Sequence, residues 1–131
     1  MNYRISGIIN KNGTGTASKR FKKCHEILNS YDIKFPPFEY GTLNVELEKE
    51  FSTPNWSNII FVPEEELEKY DLGWKEWWEL IPAEVKTNGE KIPAFILRTK
   101  INYHQNKVAE LVAHKIDLPD KSKIEILLSD K

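Results

Sequence analysis

The chain has 131 residues, room for one ordinary domain with one core. Its 40% hydrophobic and 30% charged residues give a globular balance and exclude a disordered or low-complexity chain. The 19 basic and 20 acidic side chains leave a net charge of −1, which offers no global attraction for nucleic acid.

Residues 3–10 carry isoleucine at 5, 8 and 9, and this β-branched content predicts a first strand. Asn12-Gly13-Thr14-Gly15-Thr16 follows as a tight loop whose glycines can take positive φ. Between 18 and 30, Phe21, Cys24, Ile27 and Leu28 recur at helical spacing, with Lys19, Lys22, Lys23 and Glu26 on the opposite face. Thr16 or Ser18 can cap this helix, and Phe35-Pro36-Pro37 forbids its extension.

Leu43, Val45 and Leu47 alternate with Asn44, Glu46 and Glu48, the period of a half-buried strand. Residues 51–58 read as loop and 58–62 as a short strand ended by Pro63. The acidic run Glu64-Glu65-Glu66 predicts a solvated helix start, because no ligand pattern surrounds it. Residues 77–85 and 91–98 flank Asn88-Gly89, a type I′ hairpin signal. Residues 107–116 fit a helix by propensity or a strand by Val108, Leu111 and Val112, and 124–128 read as a short apolar strand.

This inventory of strands with one clear helix predicts a mainly β barrel, or an α+β domain, rather than a doubly wound parallel sheet. No stretch approaches the ~18 consecutive apolar residues of a membrane span. A polar run over 10–13 interrupts the N-terminus before a signal-peptide core forms. The single cysteine, Cys24, cannot make an internal disulfide and suits a reducing compartment. The expectation is one cytoplasmic domain over residues 1–131, without nucleic acid or membrane partners.

Three features bear on chemistry. A strand running through Gly13-x-Gly15 into a helix presents backbone N–H groups at the helix's positive end, which suits phosphate; its ordinary alternative is a plain strand–helix turn. Thr42 and Asn44 lie two apart at a strand start, so a hydroxyl and an amide oxygen point the same way and can share one Mg²⁺. A turn closed by the same two side chains is the structural alternative. Trp74, Trp77 and Trp78 suit either a core or a stacking surface for a flat heterocycle. His104 and His114 form no metal pattern with the cysteine, and Glu110 in its apolar run would need a partner if buried.

In order, Gly7 to Ala17, the helix over 18–30, Gly41-Thr42-Leu43-Asn44, the hairpin, Tyr103-His104, the apolar stretch with Glu110, and 124–128 resemble the CTP-dependent riboflavin kinases of archaea. That family is built on a small cradle-loop barrel, and the resemblance spans nearly the whole chain, most sharply at Gly-Thr-Leu-Asn. It implies a phosphotransferase that moves a phosphoryl group from CTP to the riboflavin 5′-hydroxyl, giving FMN and CDP.

Carried over by position, Mg²⁺ falls to Thr42 and Asn44, and the flavin to Asn102 and Glu110. The nucleotide falls to Asn12, Gly13, Thr14, Gly15, Thr16, Ala17 and Lys115. Glu110 becomes the candidate catalytic group, orienting the ribityl chain or accepting a proton. The resemblance also implies strand rather than helix over 107–113.

The chain departs from the family at Ala17, which replaces a loop glycine, and at Asn102, which replaces a flavin-contacting threonine. Lys115-Ile116-Asp117-Leu118 lacks the arginine of a basic nucleotide-holding stretch, and lysine does not reproduce a bidentate guanidinium contact. These departures motivate two alternatives: a non-catalytic flavin- or nucleotide-binding barrel, or a related kinase with a changed donor or acceptor.

Overall fold

The structure, a computed structural model of the chain, describes residues 2–10, 26–27, 29–30, 43–69, 77–87, 89–100, 107–113 and 119–130. Their strands are β1 (Asn2–Asn10), β2 (Leu43–Leu47), β3 (Ile60–Val62), β4 (Trp78–Thr87), β5 (Glu90–Thr99), β6 (Val108–Ala113) and β7 (Lys123–Ser129). The order is β3-β4-β5-β6-β2-β1-β7, all neighbours are antiparallel, and β4 also pairs with β7. Six strands therefore close into a barrel, with β3 attached outside the ring. This is the mainly β architecture the sequence predicts.

The edge of β4 facing away from β5 serves two partners: Trp78 to Leu80 pair with β3, and Ala83 to Lys86 pair with β7. Pro82 lies between the two ladders. The Lys100 N–H donates to the Trp77 carbonyl at 3.1 Å, which makes these residues a hydrogen-bonded pair. Counting along the unbroken β4–β5 register, Pro82 opposite Phe95 and Pro93 opposite Glu84 both fall in non-hydrogen-bonded pairs. Neither proline's missing N–H weakens the hairpin. At its tip Thr87 faces Glu90 and Gly89 takes φ 79°, a positive φ that suits glycine, while Asn88 lies outside the described residues.

Alternation sorts the strands into two faces. Ile5, Ile9, Val45, Ile81, Ile96, Leu111 and Ile126 belong to the buried cluster that fills the barrel. A second cluster, with Trp78, Leu80, Phe95, Leu97 and Val112, covers part of the outer wall. Both faces of β5 are therefore covered from Ala94 onward, which explains its continuous apolar run.

Glu26, Ile27, Asn29 and Ser30 are helical, and Ile27 is buried in the outer cluster. The rest of the helix expected over 18–30, like the glycine loop before it, lies outside the described residues. A short helix, α1 (Glu64–Lys69), begins at the acidic run as expected, with Leu67 buried and the glutamates in its first turn. Among the described residues no helix is long and apolar enough to cross a membrane.

Several strand ends differ from expectation. Strand β3 starts at Ile60 rather than at 58, because residues 57 and 58 form a turn in which the Ile59 N–H donates to the Trp56 carbonyl at 3.5 Å; the Asn58 side chain donates to the Ser129 carbonyl at 2.7 Å. The hairpin runs past Val85 to Thr87, since its ladder continues through the exposed, directly opposed Lys86 and Lys91. Residues 107–113, ambiguous by pattern, hold strand β6.

The loop over 51–58 crosses one end of the barrel. Phe51 is buried there, its carbonyl accepts from Arg98 Nη1 at 3.3 Å, and the guanidinium lies 5.7 Å from its ring centre. Thr53 donates to Glu79 Oε1 at 3.2 Å, and Trp56 and Ile59 pack on the barrel core.

Two backbone positions generate predictions. Gly7 faces inward in a non-hydrogen-bonded pair with Leu47, and a Cβ there would sit 2.5 Å from the Glu46 carbonyl oxygen and 2.6 Å from Val45 Cγ1. Gly7→Ala is expected to destabilise the protein by about 2 kcal/mol, read as a lower urea midpoint.

Lys121 takes φ 69° in a bulge where its N–H donates to the Ile9 carbonyl at 2.8 Å and the Ile9 N–H donates to the Ser122 carbonyl at 2.9 Å. Lys121→Gly removes the left-handed strain of a side-chain-bearing residue. It is expected to raise stability by about 1 kcal/mol in the same measurement.

Candidate functional site

Directly opposed residues of an antiparallel sheet point to the same face, so the register reads as rows of side chains. One row crosses six strands in the order Ile60, Leu80, Leu97, Glu110, Asn44, Asn10. It lies on the outer wall, because the neighbouring Ile9, Val45 and Leu111 point into the core. Leu80 and Leu97 are buried within the outer cluster, whereas Glu110, Asn44 and Asn10 are half-buried. The row changes from apolar to polar between Leu97 and Glu110.

Hydrogen-bond phase decides how close these side chains come. The Leu47 N–H donates to the Lys107 carbonyl at 2.7 Å, fixing that pair as hydrogen-bonded. Along the β2–β6 register, Asn44 and Glu110 then form a non-hydrogen-bonded pair. In such pairs the Cα atoms are about 4.5 Å apart and the side chains are at their nearest.

On the other side of β2, the Glu48 N–H donates to the Ser6 carbonyl at 3.0 Å, so Asn10 and Asn44 form a hydrogen-bonded pair. There the separation is about 5.5 Å. Asn10 Nδ2 donates to Glu46 Oε1 at 2.8 Å, one pleat along β2.

An amide oxygen beside a carboxylate is a hard donor pair. It fits a cation such as Mg²⁺, which takes few protein ligands and completes its shell with water and phosphate oxygens. The carboxylate can also accept a proton or a hydrogen bond from a substrate hydroxyl. Among the described residues no three His, Cys, Asp or Glu side chains gather into a metal centre. The donors in this row are of a different kind, amides beside a single carboxylate.

Of the site residues expected by resemblance, Asn44 and Glu110 are described, and they are direct cross-strand neighbours. Thr42, Asn102, Lys115 and the loop residues Asn12, Gly13, Thr14, Gly15, Thr16 and Ala17 lie outside the described residues, as do Trp74, His104 and His114. Trp78 is fully buried and serves the outer cluster. Trp77 is half-buried, its ring 5.7 Å from the exposed ring of Phe61.

Asn10 carries no signal in the sequence. Nothing in its local pattern marks it, and only the register brings it opposite Asn44. A separate open depression of about 470 Å³ lies near the hairpin tip. Its lining sets Lys86 and Lys123 against Glu48 and Glu125, so it offers no net charge to an ion.

No protein-family model matches the chain, and no curated protein matches it.

The adjacency of Asn44 and Glu110 is itself testable. A double-mutant cycle of Asn44→Ala and Glu110→Ala, read by urea unfolding, is expected to give a coupling of about 0.5 kcal/mol. Additive effects would contradict the register.

Proposed function

We propose that this protein is a riboflavin-kinase-like phosphotransferase that uses CTP and Mg²⁺ to convert riboflavin to FMN. The observation that carries this reading is the Asn44–Glu110 pair. By resemblance these residues belong to different ligands, one to the cation on the phosphates and the other to the flavin. Phosphoryl transfer needs those two ligands side by side, and the residues are nearest neighbours on one wall of a closed barrel.

In the reaction, the riboflavin 5′-hydroxyl oxygen bonds to the γ-phosphorus of CTP as the bond to the β–γ bridging oxygen breaks, releasing CDP. The hydroxyl proton passes to a carboxylate within reach, and Glu110 is the candidate. Asn44, with Thr42 by resemblance, would hold Mg²⁺, which when bound would neutralise phosphate charge. Asn44 fixes one edge of the site, and Glu110 orients the acceptor from the neighbouring strand. Such a sparse set suffices, because this chemistry depends on position and charge more than on covalent help from the protein.

Incubation with riboflavin, CTP and Mg²⁺ is expected to yield FMN, resolved by chromatography. Asn44→Ala is expected to lower turnover by about 10²-fold with little change in unfolding midpoint. Near-wild-type turnover in that variant rejects the assignment. The missing arginine near Lys115 motivates a second reading, a flavin- or nucleotide-binding barrel without catalysis. Flavin binding with no FMN, across a panel of nucleoside triphosphates, favours that reading.

A further inference from the structure

We infer that Asn10 contributes a further oxygen donor to the proposed cation site, and that Glu46 is the positioning residue that turns it there; this rests on the reading above. Asn10 is the last residue of β1 and lies directly opposite Asn44, whose other neighbour in the row is Glu110. Three adjacent strands thus offer an amide, an amide and a carboxylate on one face of the wall, each half-buried.

An asparagine amide has two unlike ends, and its orientation is set by the partners it meets. Glu46 is acceptor-only when ionised, so the end it holds must be the NH₂, and Nδ2 does donate to Glu46 Oε1 at 2.8 Å. Glu46 stands one pleat away from Asn44 along β2. With Nδ2 held by Glu46, Oδ1 is the end of the planar group turned away from Glu46, on a residue that lies directly opposite Asn44. The amide oxygen carries two lone pairs, so it can meet a cation while also accepting an N–H. Glu46 is exposed and takes no direct part; its role is to select the amide orientation.

Mn²⁺, titrated alone into the full chain and followed by the electron paramagnetic resonance of the free ion, tests this. Asn10→Ala is expected to weaken Mn²⁺ binding about tenfold, and Asn10→Asp to strengthen it by adding charge beside the ion. Glu46→Gln is expected to weaken binding severalfold in the wild-type background and to have no effect in the Asn10→Ala background. Circular dichroism checks that each variant is folded.

If Asn44→Ala abolishes binding while Asn10→Ala binds like the wild type, Asn10 is no ligand and the inference fails, although the proposed site stands. If Glu46→Gln still weakens binding without Asn10, Glu46 acts through its charge and the positioning role fails. A wild-type protein that binds no Mn²⁺ removes the proposed cation site and the inference with it.

Discussion

The free edge of β4 serves two partners in turn, and the closed barrel depends on that division. Along Trp78 to Leu80 the edge belongs to β3, and along Ala83 to Lys86 it belongs to β7. If the β3 ladder ran further, β7 would have no place to dock and would expose the backbone groups of its free edge. Pro82 stands at the changeover and has no N–H to offer either partner, so it ends one ladder before the other begins. Its position in a non-hydrogen-bonded pair with Phe95 leaves the β4–β5 hairpin intact. A residue that usually breaks sheets here marks where one ladder stops.

Closure gives every barrel strand two neighbours and an unambiguous inside. The interior is filled by branched aliphatic side chains, and the loop over 51–58 packs Phe51 across one end beneath Arg98. The outer wall is apolar where the second cluster covers β3, β4 and β5, and polar where Glu110, Asn44 and Asn10 follow. The proposed site sits on this boundary, where the half-buried Glu110, Asn44 and Asn10 follow the covered Leu80 and Leu97.

Some of this was legible in the sequence because alternation specifies direction. The pattern from Leu43 to Glu48 sends Val45 and Leu47 inward and Asn44 outward, as observed. Asn88-Gly89 specifies its hairpin through the backbone, independently of anything distant. The stretch Val108 to Val112 was ambiguous because its apolar residues satisfy both periods. Strand pairing with β2 on one side and β5 on the other resolved it, and no local pattern contains that information. Asn10 was illegible for the same reason, since its cross-strand partner Asn44 lies far along the chain. The hairpin ends were misjudged because hydrophobicity stops at Val85 while backbone pairing continues to the turn.

The rows also bear on how such a protein can vary over evolutionary time. Consecutive strand residues alternate between core and wall, so deleting one residue within β2 would send either Asn44 or its inward neighbours to the wrong side. The connecting segments carry no such parity and can lengthen or shorten at small cost. New ligand preferences in this lineage should therefore arise through exchanges at outward strand positions or through remodelled connections, while the length of each strand stays frozen.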